Sequence, residues 1–228
     1  MAQHKLFRKA TVIIFNSSTS SLEVLHNHSL LIKDDRITAI APKIEAPQDT
    51  EIIDCTNKII TPGLINTHTH AWQAAYRTLG PDVTLSEYFA RYGQYSETTK
   101  FWSKDDIYIS ALQGYLEGLN AGTTTCVEHA HANWTKGIAE SGYEAAVASG
   151  GRVWWCFAAE EREGFSLSEA RDVMRRIGEG NEGKDALVRL GYAWDGFGAA
   201  AGDEKKLREE KEVIRSVASL PPCHLQFH

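Results

Sequence analysis

The stretch Lys58-Ile-Ile-Thr-Pro-Gly-Leu-Ile-Asn-Thr-His-Thr-His70 decides how this chain is read. An apolar run bends at Pro62-Gly63, resumes, and ends on two histidines spaced i, i+2. On a β-strand that spacing puts the His68 and His70 imidazoles on one face. Neutral imidazole nitrogens hold zinc and its neighbours at roughly 2.0–2.1 Å. In a parallel barrel, catalytic groups gather at the C-terminal ends of the strands, which is where this pair sits on its strand.

Outward from the pair, β-branched runs alternate with helical segments, the rhythm of βα units on a parallel sheet. Strands are expected at 59–66, 123–129, 152–158, 186–193 and 224–228, and helices at 105–120, 135–149, 166–177 and 203–218. Ser103 with Asp105-Asp106 suits a helix start, Asn120-Ala-Gly122 suits its end, and Ser166-x-x-Glu169 is a capping-box pattern. Ile107, Ala111, Leu112, Tyr115, Leu116 and Leu119 recur at helical spacing and are assigned to the core. Trp102, Trp134, Trp154, Trp155 and Trp194 are read as packing residues. Before residue 58, short β-branched runs such as Thr11-Val-Ile-Ile-Phe15 and Ser29-Leu-Leu-Ile-Lys33 predict a small β-layer, with Asp34-Asp35 as a turn.

The 228 residues are 43% apolar, enough for a sizeable core. A net charge of −6 with no basic stripe argues against a nucleic-acid partner. The densest charge run, 202–212, mixes signs and reads as the solvated face of a helix. Cys55, Cys126, Cys156 and Cys223 are far apart and contain no Cys-x-x-Cys, so they are expected to be small buried residues and not zinc ligands. The apolar run behind the basic N-terminus, Val12-Ile-Ile-Phe15, is too short for a signal-peptide core, and nothing approaches a membrane span. A cytoplasmic location is expected, with no membrane partner.

The string of apolar run, Pro62-Gly63, Asn66, a small residue and His68-x-His70 resembles the first-strand signature of the amidohydrolase superfamily. Gln73 and Arg77 after the pair, the segment from Gly80 to Tyr88, and Ala121-Gly-Thr-Thr-Thr125 are similar to the branch holding cytosine deaminase, guanine deaminase and the triazine hydrolases. The resemblance implies a (β/α)8 TIM-type barrel that is incomplete here, with about five βα units over 59–228, preceded by half of a β-sandwich-like accessory domain over 1–58. Such a barrel takes about 250 residues by itself. Five strands cannot close, so open barrel edges and self-association or aggregation are expected.

The resemblance also implies a divalent metal, zinc first and iron as the alternative, that activates water for hydrolysis of a non-peptide C–N bond. The expected reaction is deamination of a small amino-substituted heterocycle. His68 and His70 match the family's first ligand pair, and His228 falls where its strand-five histidine stands. The family's strand-six His, strand-eight Asp and strand-five Glu have no counterpart in this sequence, so no catalytic residue is assigned. The alternative expectation is a catalytically silent fragment or interaction protein. On the loop after the pair, Gln73 is expected to meet a heterocycle edge and Trp72 to stack on one. Glu128, His129 and His131 are read as strand-end polar residues satisfied by loop hydrogen bonds, with a place in the pocket wall as the other option.

Overall fold

The computed structural model describes residues 3–80, 82–180, 186–195, 201–218 and 224–227. The chain divides into two compact units, Met1–Gly63 and Leu64–His228.

The first unit is a β-layer. Strands β1 (His4–Asn16) and β2 (Ser21–Lys33) form a long antiparallel pair, and β3 (Arg36–Ala41) returns along β2 from the turn at Asp34-Asp35. Strands β4 (Glu51–Asp54) and β5 (Ile59–Ile60) both pair with β1 in parallel. Ala10, Val12, Leu30 and Cys55 form its small core. The single strand expected at 59–66 is therefore two. Ile59 and Ile60 pair with Thr11 and Val12, whereas β6 (Leu64–Thr69) pairs with a different sheet. Pro62 offers no backbone N–H to a ladder, so the run cannot continue through it.

The second unit is a five-stranded parallel sheet with helices on one face. Its order is β10-β9-β8-β7-β6, where β7 is Thr123–Ala130, β8 Arg152–Ala158, β9 Val188–Trp194 and β10 His224–Phe227. Among the described residues, the longer helices between or beside the strands are α2 (Lys104–Asn120), α3 (Lys136–Ser149), α4 (Leu167–Gly180) and α5 (Glu204–Ala218). Side chains alternate across the sheet, as a period of two requires. On β8, Val153, Trp155 and Phe157 join the helix-side core, while Cys156 and Ala158 join a second cluster with Val127 and Ala193. That second cluster is built from small side chains on the face opposite the helices.

Local signals explain the helix starts. Ser103 and Asp106 exchange hydrogen bonds at the start of α2, and Ser166 and Glu169 do so before α4. The same device starts a helix that periodicity does not reveal, α1 (Leu85–Arg91), with Thr84 and Glu87 as the pair. Along α2, Ile107, Ala111 and Tyr115 are buried at four-residue steps. Leu116, assigned to the core from spacing, is instead 48% exposed, because it lies one residue off that line.

The charge run 202–212 starts α5, and Lys205 pairs with Glu209 as expected of a solvated face. Glu210 departs from that reading. It is buried, accepts a hydrogen bond from the Tyr192 hydroxyl and pairs with Arg171 at 3.0 Å. Two donors from β9 and α4 thus supply what a buried carboxylate needs. Among the described residues, no helix is long and apolar enough to cross a membrane. Strand β6 ends the sheet order, and its Leu64 and Ile65 side chains are exposed.

Candidate active-site rim

Where the parallel strands end, their last side chains and the loops that follow them gather polar groups. His68 lies near the end of β6 and His70 directly follows the strand, and their rings meet edge to face at 4.7 Å between centroids. Their Nε2 atoms are 3.1 Å apart. Two nitrogens held at roughly 2.0–2.1 Å by one tetrahedral zinc stand roughly 3.3–3.4 Å apart. The pair therefore fits a shared cation with small adjustment.

His70 is fixed from its other side. Its Nδ1 lies 3.0 Å from the carbonyl oxygen of His129. A carbonyl only accepts, so Nδ1 carries the proton and Nε2 keeps its lone pair. This is the tautomer a metal requires of a histidine bound through Nε2.

Strand β7 contributes more than its sequence suggests. His129 is fully buried, with its ring centroid 5.6 Å from that of His68 and 5.5 Å from that of His70. His131 is also buried, and its centroid lies 4.1 Å from the His70 ring. Four imidazoles thus cluster at the ends of two neighbouring strands. The reading of Glu128, His129 and His131 as loop-satisfied polar residues misses this, because it takes pairing of β6 with β7 to bring them to the pair. Glu128 points to the helix side, where both of its oxygens accept from the Ala71 N–H at 3.1 and 2.9 Å.

Further groups stand on the loops beyond β8 and β9. Asp195 directly follows β9, and its Oδ1 lies 2.9 Å from His129 Nε2. Gln94 donates to the other Asp195 oxygen at 3.3 Å. Glu160, two residues past β8, accepts from the Tyr95 hydroxyl at 2.8 Å and pairs with Arg162, whose guanidinium lies over the Tyr95 ring. Burial raises the Glu160 carboxyl above its usual range, and Arg162 opposes this. These residues carry no spacing signature. The one signal that finds them is position, one or two residues past a strand end.

The loop residues singled out from sequence are held as follows. Trp72 is 2% exposed, packed edge to face against Trp102 and Trp134, each at 5.2 Å, and its Nε1 has no hydrogen-bond partner among the described residues. The Gln73 amide donates to the Tyr88 hydroxyl at 2.7 Å and to the Tyr92 carbonyl at 3.2 Å. Strand β10 brings the chain to residue 227, and His228 lies outside the described residues, as does Cys223. Cys55 and Cys156 are buried and Cys126 is partly so. Among the described residues, no group of three or more His, Cys, Asp or Glu side chains is placed to hold a metal ion.

Glu128 makes the stability of the second unit depend on pH. Burial pushes its carboxyl up to about 8, against the pull of the Ala71 N–H, with Tyr115 of α2 and Cys126 of β7 as the other ionisable groups near it. Between the ordinary carboxyl range, about 4.3, and about 8, the folded chain holds a proton that the unfolded chain has released. Stability therefore falls as pH rises through that window. Urea melts of the metal-free chain at pH 5 and pH 8 should show this fall, and Glu128→Gln should flatten it. A wild-type chain equally stable at both pH values would refute the shift.

Residues 59–201 match the sequence model of the Amidohydrolase family. A 5'-deoxyadenosine deaminase of Methanosarcina barkeri is 28% identical over 172 residues, which are 73% of this chain and 38% of the relative. The chain thus spans well under half the length of that curated relative. Guanine deaminase from C. acetobutylicum, solved with guanine in its active site, superposes with a TM-score of 0.72 at 16% identity, covering 99% of this chain and 62% of the deaminase. A mutant atrazine chlorohydrolase from Arthrobacter aurescens, complexed with zinc and atraton, superposes with a TM-score of 0.74 at 21% identity, covering 98% of this chain and 52% of the neighbour. At these identities the two structures speak to fold: the sheet and helices of the second unit correspond to part of a TIM-type barrel.

Proposed function

The chain belongs to the amidohydrolase family, and we propose that it carries the first metal-binding pair and one pocket wall of a hydrolase acting on non-peptide C–N bonds. The reaction is removal of an amino group from a small heterocycle by water. The observation that carries this reading is the meeting of the His68 and His70 Nε2 atoms, 3.1 Å apart, at the end of a parallel strand. The deaminase activity named for the Methanosarcina relative supports the reaction class. The zinc of the atrazine chlorohydrolase neighbour supports zinc over iron.

His68 and His70 would hold the cation, with His228 as a third donor. When bound, such an ion makes water reactive near neutral pH. The chain's own groups prepare the place for it. The His129 carbonyl keeps the proton on His70 Nδ1, and the buried indoles of Trp72 and Trp134 back the rim with an apolar wall. Gln73 ties that wall to α1 through Tyr88, so Trp72 and Gln73 serve as its frame. The buried His129, through Nε2, and the partly buried Asp195, through Oδ1, stand 2.9 Å apart beside the histidines. A cytoplasmic setting is supported by the free thiols at Cys55 and Cys126, and self-association by the exposed edge at β6.

The test is ammonia release. Zinc-loaded chain is mixed with 5'-deoxyadenosine or another aminopurine nucleoside, with and without a chelator. Ammonia that appears with metal and stops on chelation supports the reading. A second reading is a catalytically silent chain. Metal retained without any ammonia would favour it, and failure to retain metal would overturn the first.

A further inference from the structure

We propose that Glu128 is a positioning residue: by gripping the backbone one residue past His70, it holds that imidazole in the tautomer and orientation that face His68. The inference rests on the metal-binding role proposed for the pair, yet its test reads the ring itself.

The geometry is a two-point clamp from one strand onto another. Strand β6 stops at Thr69, His70 stands at the N-cap of a short 3-10 turn (Ala71–Tyr76), and no side chain of its own caps that turn. The Ala71 N–H is one of the unpaired donors that begin any such turn. Glu128 takes it with both oxygens, at 3.1 and 2.9 Å, from the neighbouring strand. The next residue along that strand, His129, turns its carbonyl to His70 Nδ1 at 3.0 Å. Glu128 and His129 thus hold two consecutive residues, Ala71 by its backbone and His70 by its ring.

Energetics favour a positioning role over a packing one. Glu128 is 3% exposed and lines a small cavity with Trp72, Ile107, Ala111, Tyr115 and Trp155. Among the hydrogen bonds of the described residues, its carboxyl accepts only from one backbone N–H. Burying a carboxyl for one such bond costs stability relative to an apolar side chain of like size. What the carboxyl supplies in return is the place of Ala71, and through it the approach of Nδ1 to its carbonyl. With Glu128 gone, the turn loses its anchor. The ring is then free to exchange the proton between Nδ1 and Nε2.

Nitrogen NMR of the metal-free chain, labelled in its histidine rings, tests this. In the wild type His70 should show a protonated Nδ1 and an unprotonated Nε2. Glu128→Leu should average the two nitrogens and weaken Co(II) binding roughly tenfold or more, the size of effect that disturbing the partners behind a metal ligand has. Glu128→Gln keeps an acceptor oxygen and should preserve both the tautomer and the affinity. Ala71→Pro removes the gripped N–H at a position where proline suits a helix start. It should reproduce the Glu128→Leu result and carries the test if that variant does not fold. A Glu128→Leu or Ala71→Pro chain that keeps the wild-type His70 ring signals, at whatever melting temperature, would overturn the inference. Wild-type chain that binds no Co(II) yet shows the fixed tautomer, lost in Glu128→Leu, would sink the metal reading and leave the clamp standing.

Discussion

His70→Ala should abolish tight binding of a divalent metal, with a loss of more than roughly a hundredfold in affinity. Disturbing the partners behind a metal ligand costs roughly 10–100-fold, and deleting the donor itself removes more. The effect on folding should be small by comparison. The His70 side chain is only half-buried, and its hydrogen-bonding neighbours include one carbonyl and one other ring. Thermal melting near the wild-type temperature together with lost metal binding separates ligand loss from unfolding. His68→Ala should behave alike, since that ring is exposed and lies at the edge of the sheet. Titration with Zn(II) or Co(II), followed by calorimetry, measures both variants. Wild-type affinity in either would remove the pair from the metal site.

Gly114→Ala should damage the same site from a distance. Glycine inside a helix is worth about 1 kcal/mol less than alanine, so on propensity alone the substitution in α2 should stabilise. Packing reverses the sign. A Cβ at position 114 would sit 2.5 Å from the Ala71 carbonyl oxygen and 3.1 Å from both the Ala71 carbonyl carbon and its Cα. These are backbone atoms, so no rotamer change relieves the overlap. Forcing an extra carbon into a packed contact costs about 1–3 kcal/mol, and here the helix or the turn must move. Movement of Ala71 carries it off Glu128 and carries His70 with it. We expect a net loss of about 1–3 kcal/mol in denaturant unfolding, with metal affinity reduced roughly tenfold. A Gly114→Ala chain more stable than wild type would show that the approach of α2 to the turn is looser than described.

The parts of this fold that were legible in the sequence are those whose causes are local. Spacing at i, i+2 put His68 and His70 on one face, and the structure brings their Nε2 atoms together. Strands and helices of the second unit follow from periodicity and from caps such as Ser103 with Asp106. Helix α1 was not among the expected helices: its seven residues are too few for a periodic stripe, and only the Thr84 and Glu87 pair marks its start.

What escaped depends on which strands are neighbours. Nothing near Glu128 in the sequence indicates that its carboxyl meets Ala71, fifty-seven positions away. His129 and His131 look like polar residues at a strand end until β7 is laid beside β6, with Thr69 opposite Glu128. Asp195 and Glu160 are single carboxyl residues with no motif around them, and only the register of β8 and β9 sets them on one rim. The break at Pro62-Gly63 was visible, but which sheet would take Ile59 and Ile60 was not, because a two-residue β-branched run suits either.

Zinc-edge X-ray absorption of the loaded chain reads the metal's ligands themselves. At least two histidine nitrogens should surround the metal at roughly 2.0–2.1 Å, with the imidazole scattering reduced in His70→Ala and gone or replaced in the His68→Ala, His70→Ala double variant. A first shell of oxygen or sulfur alone, or a spectrum unchanged in the double variant, would contradict it.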